Sequence, residues 1–171
     1  MTMQLNKIEE AIDQRLVRAR KENMRRLGQI EHRLEYVDTV EEVEYINDAK
    51  AQDINSSWYS IDCMEKPVIW IISSCSYEED YSLFNEIDCI KLKALVVLGP
   101  NQSAIEDMFL GKVKTIARAQ HLENAIRMSA SFASKGDVVL YSPAFSDMEN
   151  YTHYKERGQQ FRKAVREFQL K

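Results

Sequence analysis

Three short apolar runs, Val68–Ile72, Ala94–Leu98 and Val138–Tyr141, and a fourth strand candidate, Val113–Ala117, alternate with stretches of helical spacing, and this alternation leaves few architectures open. A strand that is apolar on both of its faces has to be covered on both, which is the situation of a parallel sheet between two layers of helices. The helical stretches are Ser56–Met64, Tyr81–Ile90, Ser103–Leu110, Leu122–Ala133 and Tyr154–Phe168. Turn residues stand where such a fold needs them: Gly99-Pro100-Asn101, Lys135-Gly136-Asp137 and Ser142-Pro143. Ahead of this region, 32–37 and 43–46 alternate apolar and polar across an acidic turn, which predicts a hairpin. The fold class expected is α/β, a Rossmann-like three-layer sandwich with a mostly parallel sheet. A short β-hairpin and an N-terminal amphipathic helix are added to it.

That helix is expected from Leu5, Ile8, Ile12, Leu16 and Ala19, spaced by three and four, and should run to Leu27 with Gly28 as its stop. Residues 1–29 are accordingly a helical extension and 30–171 one domain, an ordinary size for the 171 residues present. Hydrophobic residues at 44% and charged residues at 29% describe a packed chain, and five Gly with three Pro are too few for a disordered one. The first residues lack the apolar core of a signal peptide and no run is long enough to span a membrane, so a cytoplasmic location is expected.

The net charge of −4 conceals an asymmetry. Residues 1–30 hold seven Lys/Arg against four Asp/Glu, residues 35–90 two against fourteen, and residues 91–171 thirteen against eight. The acidic middle would repel phosphates, so a nucleic-acid footprint is not expected. The odd count of three cysteines, Cys63, Cys75 and Cys89, and the lack of a CxxC pair, support neither a disulfide framework nor a zinc site.

In a sheet of this kind chemistry belongs to the loops beyond the carboxyl ends of the strands. The loop Ser73–Asp80 contains no glycine to let a backbone approach a pyrophosphate, and GxxxxGK[ST] occurs nowhere in the 171 residues. A thiol–imidazole pair of Cys75 with His121 or His153 has no joining motif, and the three histidines have no metal-ligand spacing. Composition and spacing therefore yield no catalytic constellation.

The order of five segments is more specific. They are His32-Arg33-Leu34-Glu35; Tyr45-Ile46-Asn47-Asp48-Ala49-Lys50-Ala51; Lys66-Pro67-Val68-Ile69-Trp70-Ile71; Gly136 to Ala144; and Tyr154 to Phe161. Together they resemble the C-terminal domain of the Mur ligases, nearest to the D-glutamate-adding members, over residues 30–168. What the resemblance implies is ATP-dependent amide formation in cytoplasmic peptidoglycan synthesis, in three-domain enzymes whose central domain carries the P-loop and magnesium. Only the last domain has a counterpart in these residues.

The resemblance also implies nucleotide-facing roles for Arg33, Asp48 and Lys50, an Asp accepting from ribose hydroxyls and the bases donating to the nucleotide. The implied amino-acid site is altered. The family's Ser and Thr in the Asn-Asp-x-Lys segment are Ala49 and Gln52, and its Gly-Gly-x-x-Lys lysine falls on Tyr77. Its Ser-Pro-Ala-Cys-Ala-Ser ends on Asp147, while the aromatic residue eleven positions after Pro143 is kept as Tyr154. A lost lysine and a gained aspartate move the site's charge by two units against an anion. Each such interaction is on the order of several kcal/mol at ~4 Å and an effective dielectric near 20. D-Glutamate is not expected to bind there.

The expectation is therefore a stand-alone, degenerate relative, catalytically inactive alone, acting as a binding or regulatory module. It would have no cofactor of its own and would meet ATP only with a partner. The alternative is a subunit that completes a cell-wall ligase in trans on a polypeptide carrying the nucleotide and P-loop domains; homodimerisation through the N-terminal helix is a third class. Structural readings stay open beside these: Arg33 with Glu35 as a strand-surface pair, Asp48 as a turn cap, Arg157 as the anchor of the last helix, and Asp147 as an N-cap.

Overall fold

The computed structural model of the chain describes Glu22, Arg26 and residues 30–74, 81–146 and 153–170. Of the helix expected over residues 5–27, Glu22 and Arg26 alone are described; both are helical and exposed. The described residues form strands β1 (Glu35–Val40), β2 (Val43–Asn47), β3 (Val68–Ser73), β4 (Leu92–Leu98), β5 (Thr115–Ala119) and β6 (Val138–Tyr141). The helices are α1 (Ile54–Cys63), α2 (Gln102–Phe109), α3 (Leu122–Phe132) and α4 (Tyr154–Gln169).

The strands make one six-stranded sheet in the order β1-β2-β6-β3-β4-β5, antiparallel between β1 and β2 and parallel elsewhere. All six residues of β3 are buried. Val68, Trp70 and Ile72 face one core with Ile54 and Ile61 of α1 and Ile105 and Phe109 of α2. Ile69 and Ile71 face the other, with Ala125 and Ile126 of α3 and Phe161 and Val165 of α4. A slip of one residue would exchange the two sets, so continuous apolarity on a covered strand fixes the register through side-chain size rather than polarity. The three-layer sandwich read from the sequence is the one observed.

The helix expected over Tyr81–Ile90 is replaced by two 3₁₀ turns, Tyr81–Glu86 and Cys89–Lys91. The reason lies in the spacing of the residues that face inward. Tyr81, Phe84 and Ile87 recur every third position, the period of a 3₁₀ turn, and the Asp88 side chain accepts from Ile90 N at 3.0 Å to begin the second turn. Phe84 is the anchor: Tyr81 stacks on it at 5.9 Å, and Trp70, Phe109 and Phe145 lie around it at 6.1, 5.2 and 6.0 Å between centroids.

The hairpin turns through Glu41 and Glu42, both left-handed with φ 51° and 64°. Two positive φ values in a two-residue loop suit Asn-Gly rather than two glutamates. Its partners hold it, since Gly136 N donates to Glu42 O at 2.8 Å and Lys135 Nζ pairs with Glu42 Oε1 at 2.5 Å. Glu41→Asn with Glu42→Gly is expected to raise stability by about 1 kcal/mol, since the relief of left-handed strain exceeds the loss of one exposed ion pair. Urea unfolding checks this.

Candidate functional site

The sheet's switch point lies between β3 and β6, because the chain leaves β3 for β4 on one side and returns from β5 to β6 on the other. Beyond it the strand ends are stitched together. Asp48 N donates to Tyr141 O at 2.8 Å, Ser142 N to Ile71 O at 3.1 Å, Ser73 N to Pro143 O at 3.1 Å and Ser74 N to Leu98 O at 2.6 Å. Trp70 Nε1 donates to Ser142 O at 2.7 Å. Gly99, at φ 113°, passes so close that a Cβ there would stand 2.7 Å from Ser74 Oγ, so glycine is required.

Asp48 is at the centre of this region and is fully buried. Its Oδ1 accepts from Leu34 N at 3.2 Å and pairs with Arg33 Nη1 at 3.3 Å; its Oδ2 accepts from Ser142 Oγ at 2.8 Å. Ser142 Oγ is in turn 2.7 Å from Ser57 Oγ. Burial pushes the Asp48 carboxyl above the usual carboxylate range, against the opposing pull of Arg33, Ser60, Ser142 and Leu34 N. A folded-state pKa above the unfolded one means the folded chain holds the proton more tightly. The stability this contributes is complete below the unfolded pKa and is lost as pH rises through the folded one. Unfolding measured from pH 4 upward should therefore show wild type losing ground to Asp48→Asn, and a constant difference would contradict the assignment.

The expected site residues fall into two groups on either side of the turn at 48–51. Inside it, Arg33 and Asp48 are joined to each other. The anticipated pair of Arg33 with Glu35 is replaced by this one, because Glu35 faces Arg162 Nη2 at 2.6 Å and His32 Nδ1 at 3.0 Å. Outside it, Lys50 is exposed with its Nζ 5.7 Å from the Tyr154 ring centroid, a cation–π contact, and Gln52 is exposed. His153 caps α4, accepting from Lys155 N at 3.2 Å, and its ring lies 4.3 Å from that of Tyr154. Tyr77, Asp147 and Cys75 lie outside the described residues. Among the described residues no group of His, Cys, Asp and Glu has the arrangement of a metal site.

Arg157 joins the two loops that carry these groups. It is 1% exposed, and its Nε and Nη2 donate to Ala49 O at 3.2 and 2.9 Å while Nη1 donates to Phe145 O at 2.8 Å. It anchors the last helix, as one reading of the sequence had it. Ala144, left-handed at φ 64°, turns Phe145 inward onto Tyr81 and Phe84. The serines around Asp48 were missed in the sequence. Their signal was the inward stripe of α1, where Ser57 and Ser60 are buried among Ile54 and Ile61 instead of apolar residues.

Comparisons with known proteins agree with this architecture. No protein-family model matches the chain. It is 38% identical over 136 residues to the UDP-N-acetylmuramoylalanine–D-glutamate ligase of Porphyromonas gingivalis, covering 80% of this chain and 30% of that one. The enzyme of the same name from Cytophaga hutchinsonii is 37% identical over 134 residues, covering 78% and 30%. That from Christiangramia forsetii is 35% identical over 159 residues, covering 88% and 35%. The chain thus spans about a third of the length of the curated relatives it matches. Among solved structures, the MurF ligase of Thermotoga maritima in complex with ADP superposes with a TM-score of 0.50 at 15% identity, over 81% of this chain and 32% of that one. The α/β sandwich of this chain is a Mur ligase C-terminal-like domain, homologous to the C-terminal part of the D-glutamate-adding ligases.

Proposed function

We propose that this chain is a binding or regulatory module that forms no amide bond by itself. The observation that carries the reading is the state of Asp48: fully buried, with both carboxylate oxygens engaged by Arg33, Leu34 N and Ser142. A carboxylate buried and bonded in this way is not presented to an outside ribose. The altered amino-acid site at Gln52, Tyr77 and Asp147 supports the same reading. The module would work in the cytoplasm, beside proteins of cell-wall synthesis. Among the described residues no helix is long and apolar enough to cross a membrane.

Incubation of the purified chain with UDP-N-acetylmuramoyl-L-alanine, D-glutamate, ATP and magnesium should give no product and no phosphate. Turnover above a no-protein blank overturns the proposal.

A second reading is favoured by the outer group: Lys50 and Tyr154 stand at the surface at the carboxyl end of the sheet. On this reading the chain completes a ligase in trans and meets ATP only on a partner that carries the P-loop. Calorimetry with a non-hydrolysable ATP analogue, with and without a candidate partner, separates the two. Affinity that appears only with the partner and falls at least tenfold in Lys50→Ala supports the trans-acting subunit. No affinity in either case leaves the binding module.

A further inference from the structure

One layer of the sandwich exposes large apolar side chains at close intervals. Trp58 and Tyr59 of α1 are 41% and 39% exposed, Leu83 in the first 3₁₀ turn 43%, and Ile90 in the second 85%. These elements adjoin: Lys91 Nζ donates to Asp62 O at 2.6 Å across the gap between the second turn and α1, and Phe84 and Ile61 share the core beneath. Across 53–65 and 81–91 the same layer carries five carboxylates, Asp53, Asp62, Glu65, Glu86 and Asp88, against Lys91. An aromatic and aliphatic surface among carboxylates fits an apolar stripe with basic flanks.

The chain itself contains such a stripe. Leu5, Ile8, Ile12, Leu16 and Ala19 lie on one face at helical spacing, and residues 15–26 hold six Lys/Arg against Glu22. At about 100° per residue Arg26 falls on the arc of that stripe, and it is exposed, so at this point the stripe's side is not laid against its own domain. The chain also enters the domain on the opposite side of the sheet. Glu31 pairs with Lys155 Nζ at 3.7 Å and Arg162 Nη2 at 3.9 Å, both on α4.

We infer that the α1 and 3₁₀ face binds the basic amphipathic segment of residues 5–27 of a second copy, and that the exchange is reciprocal in a two-fold dimer. The closed arrangement uses each face once and leaves no open end for further addition. Trp58 and Ile90 are the anchors, since aromatic side chains dominate such interfaces and the surrounding charges set approach and register. Trp58 and Tyr59 lie on the exposed side of α1 while Ser57 and Ser60, which serve the Asp48 region, are buried, so the inference stands or falls apart from the binding-module reading.

Sedimentation equilibrium of the chain should give twice the 20.0 kDa monomer mass at micromolar concentration. Ile90→Asp and Leu16→Asp should each raise the dimer dissociation constant about thirtyfold. Because Ile90 is 85% exposed, its substitution leaves the thermal midpoint unchanged at concentrations where both chains are monomeric, so the effect on association reads the interface. A photo-crosslinker at position 90, in a mixture of ¹⁵N-labelled and unlabelled chains, should join it to residues 5–27 of the other isotope. A chain monomeric to 200 µM, a dimer indifferent to Ile90→Asp, or crosslinks formed only within one chain would overturn the inference.

Discussion

Arg157→Ala is expected to lower stability by about 3–5 kcal/mol, enough to shift the thermal midpoint by roughly 10 °C. A guanidinium donating to neutral carbonyls contributes about 1.5–3 kcal/mol per bond. Its removal strands two acceptors where water does not reach, since Ala49 is fully buried and Phe145 only 4% exposed. The bonds diverge from one planar group toward two loops, so Arg157→Lys should recover a minor part of the loss: an ammonium on a flexible stem cannot hold both carbonyls. Arg157→Met separates packing from hydrogen bonding by filling most of the volume with no donor. Urea unfolding of the three variants should rank them alanine, methionine, lysine in rising stability. A methionine variant equal to wild type would mean that the guanidinium's bonds contribute nothing.

Gly158→Ala is expected to destabilise by about 2 kcal/mol or more, although alanine in a helix interior ordinarily gains roughly 1 kcal/mol over glycine. The reason is His32. A Cβ at 158 would stand 2.4 Å from its Cγ, 2.6 Å from Nδ1 and 2.8 Å from Cδ2. The ring cannot retreat. It is fully buried, its Nδ1 lies 3.0 Å from Glu35 Oε2, and Asn47 Nδ2 beside it donates to Gly158 O at 3.1 Å. The double variant with His32→Ala should be more stable than the two single losses combined predict, by at least about 1 kcal/mol, because both remove the same collision. Additive losses would place the cost of Gly158→Ala elsewhere.

These two neighbours show where sequence reasoning reaches and where it stops. Val68–Ile72 and Val138–Tyr141 were legible because burial on both faces leaves a continuous apolar signature, and helix α3 because its inward residues keep helical spacing. Tyr81–Ile90 reads as an α-helix because a run of ten residues with apolar positions three apart fits either helix type at coarse reading. β5 begins at Thr115 rather than Val113, which stays buried in the turn where its N–H donates to Phe109 O at 3.1 Å. The site was less legible than the fold. Asp48 was readable as part of a motif, yet whether its carboxylate turns outward or into the core depends on Ser142, 94 positions away. The contact of His32 with Gly158 likewise joins residues brought close by the complete sheet, and no local pattern records it.

The strand order carries a consequence for how the chain reaches this state. β6 is the last strand in the sequence and the third in the sheet, wedged between β2 and β3. Until residues 138–141 arrive, the hairpin and the β3–β4–β5 unit have no strand in common, and each presents a bare edge of unpaired amides. Joining them closes a loop of about ninety residues, so the rate-limiting event should be late insertion of one four-residue strand into a waiting slot. A nascent chain stalled before Val138 would display two open edges beyond those of β1 and β5, the form most prone to pair with its neighbours.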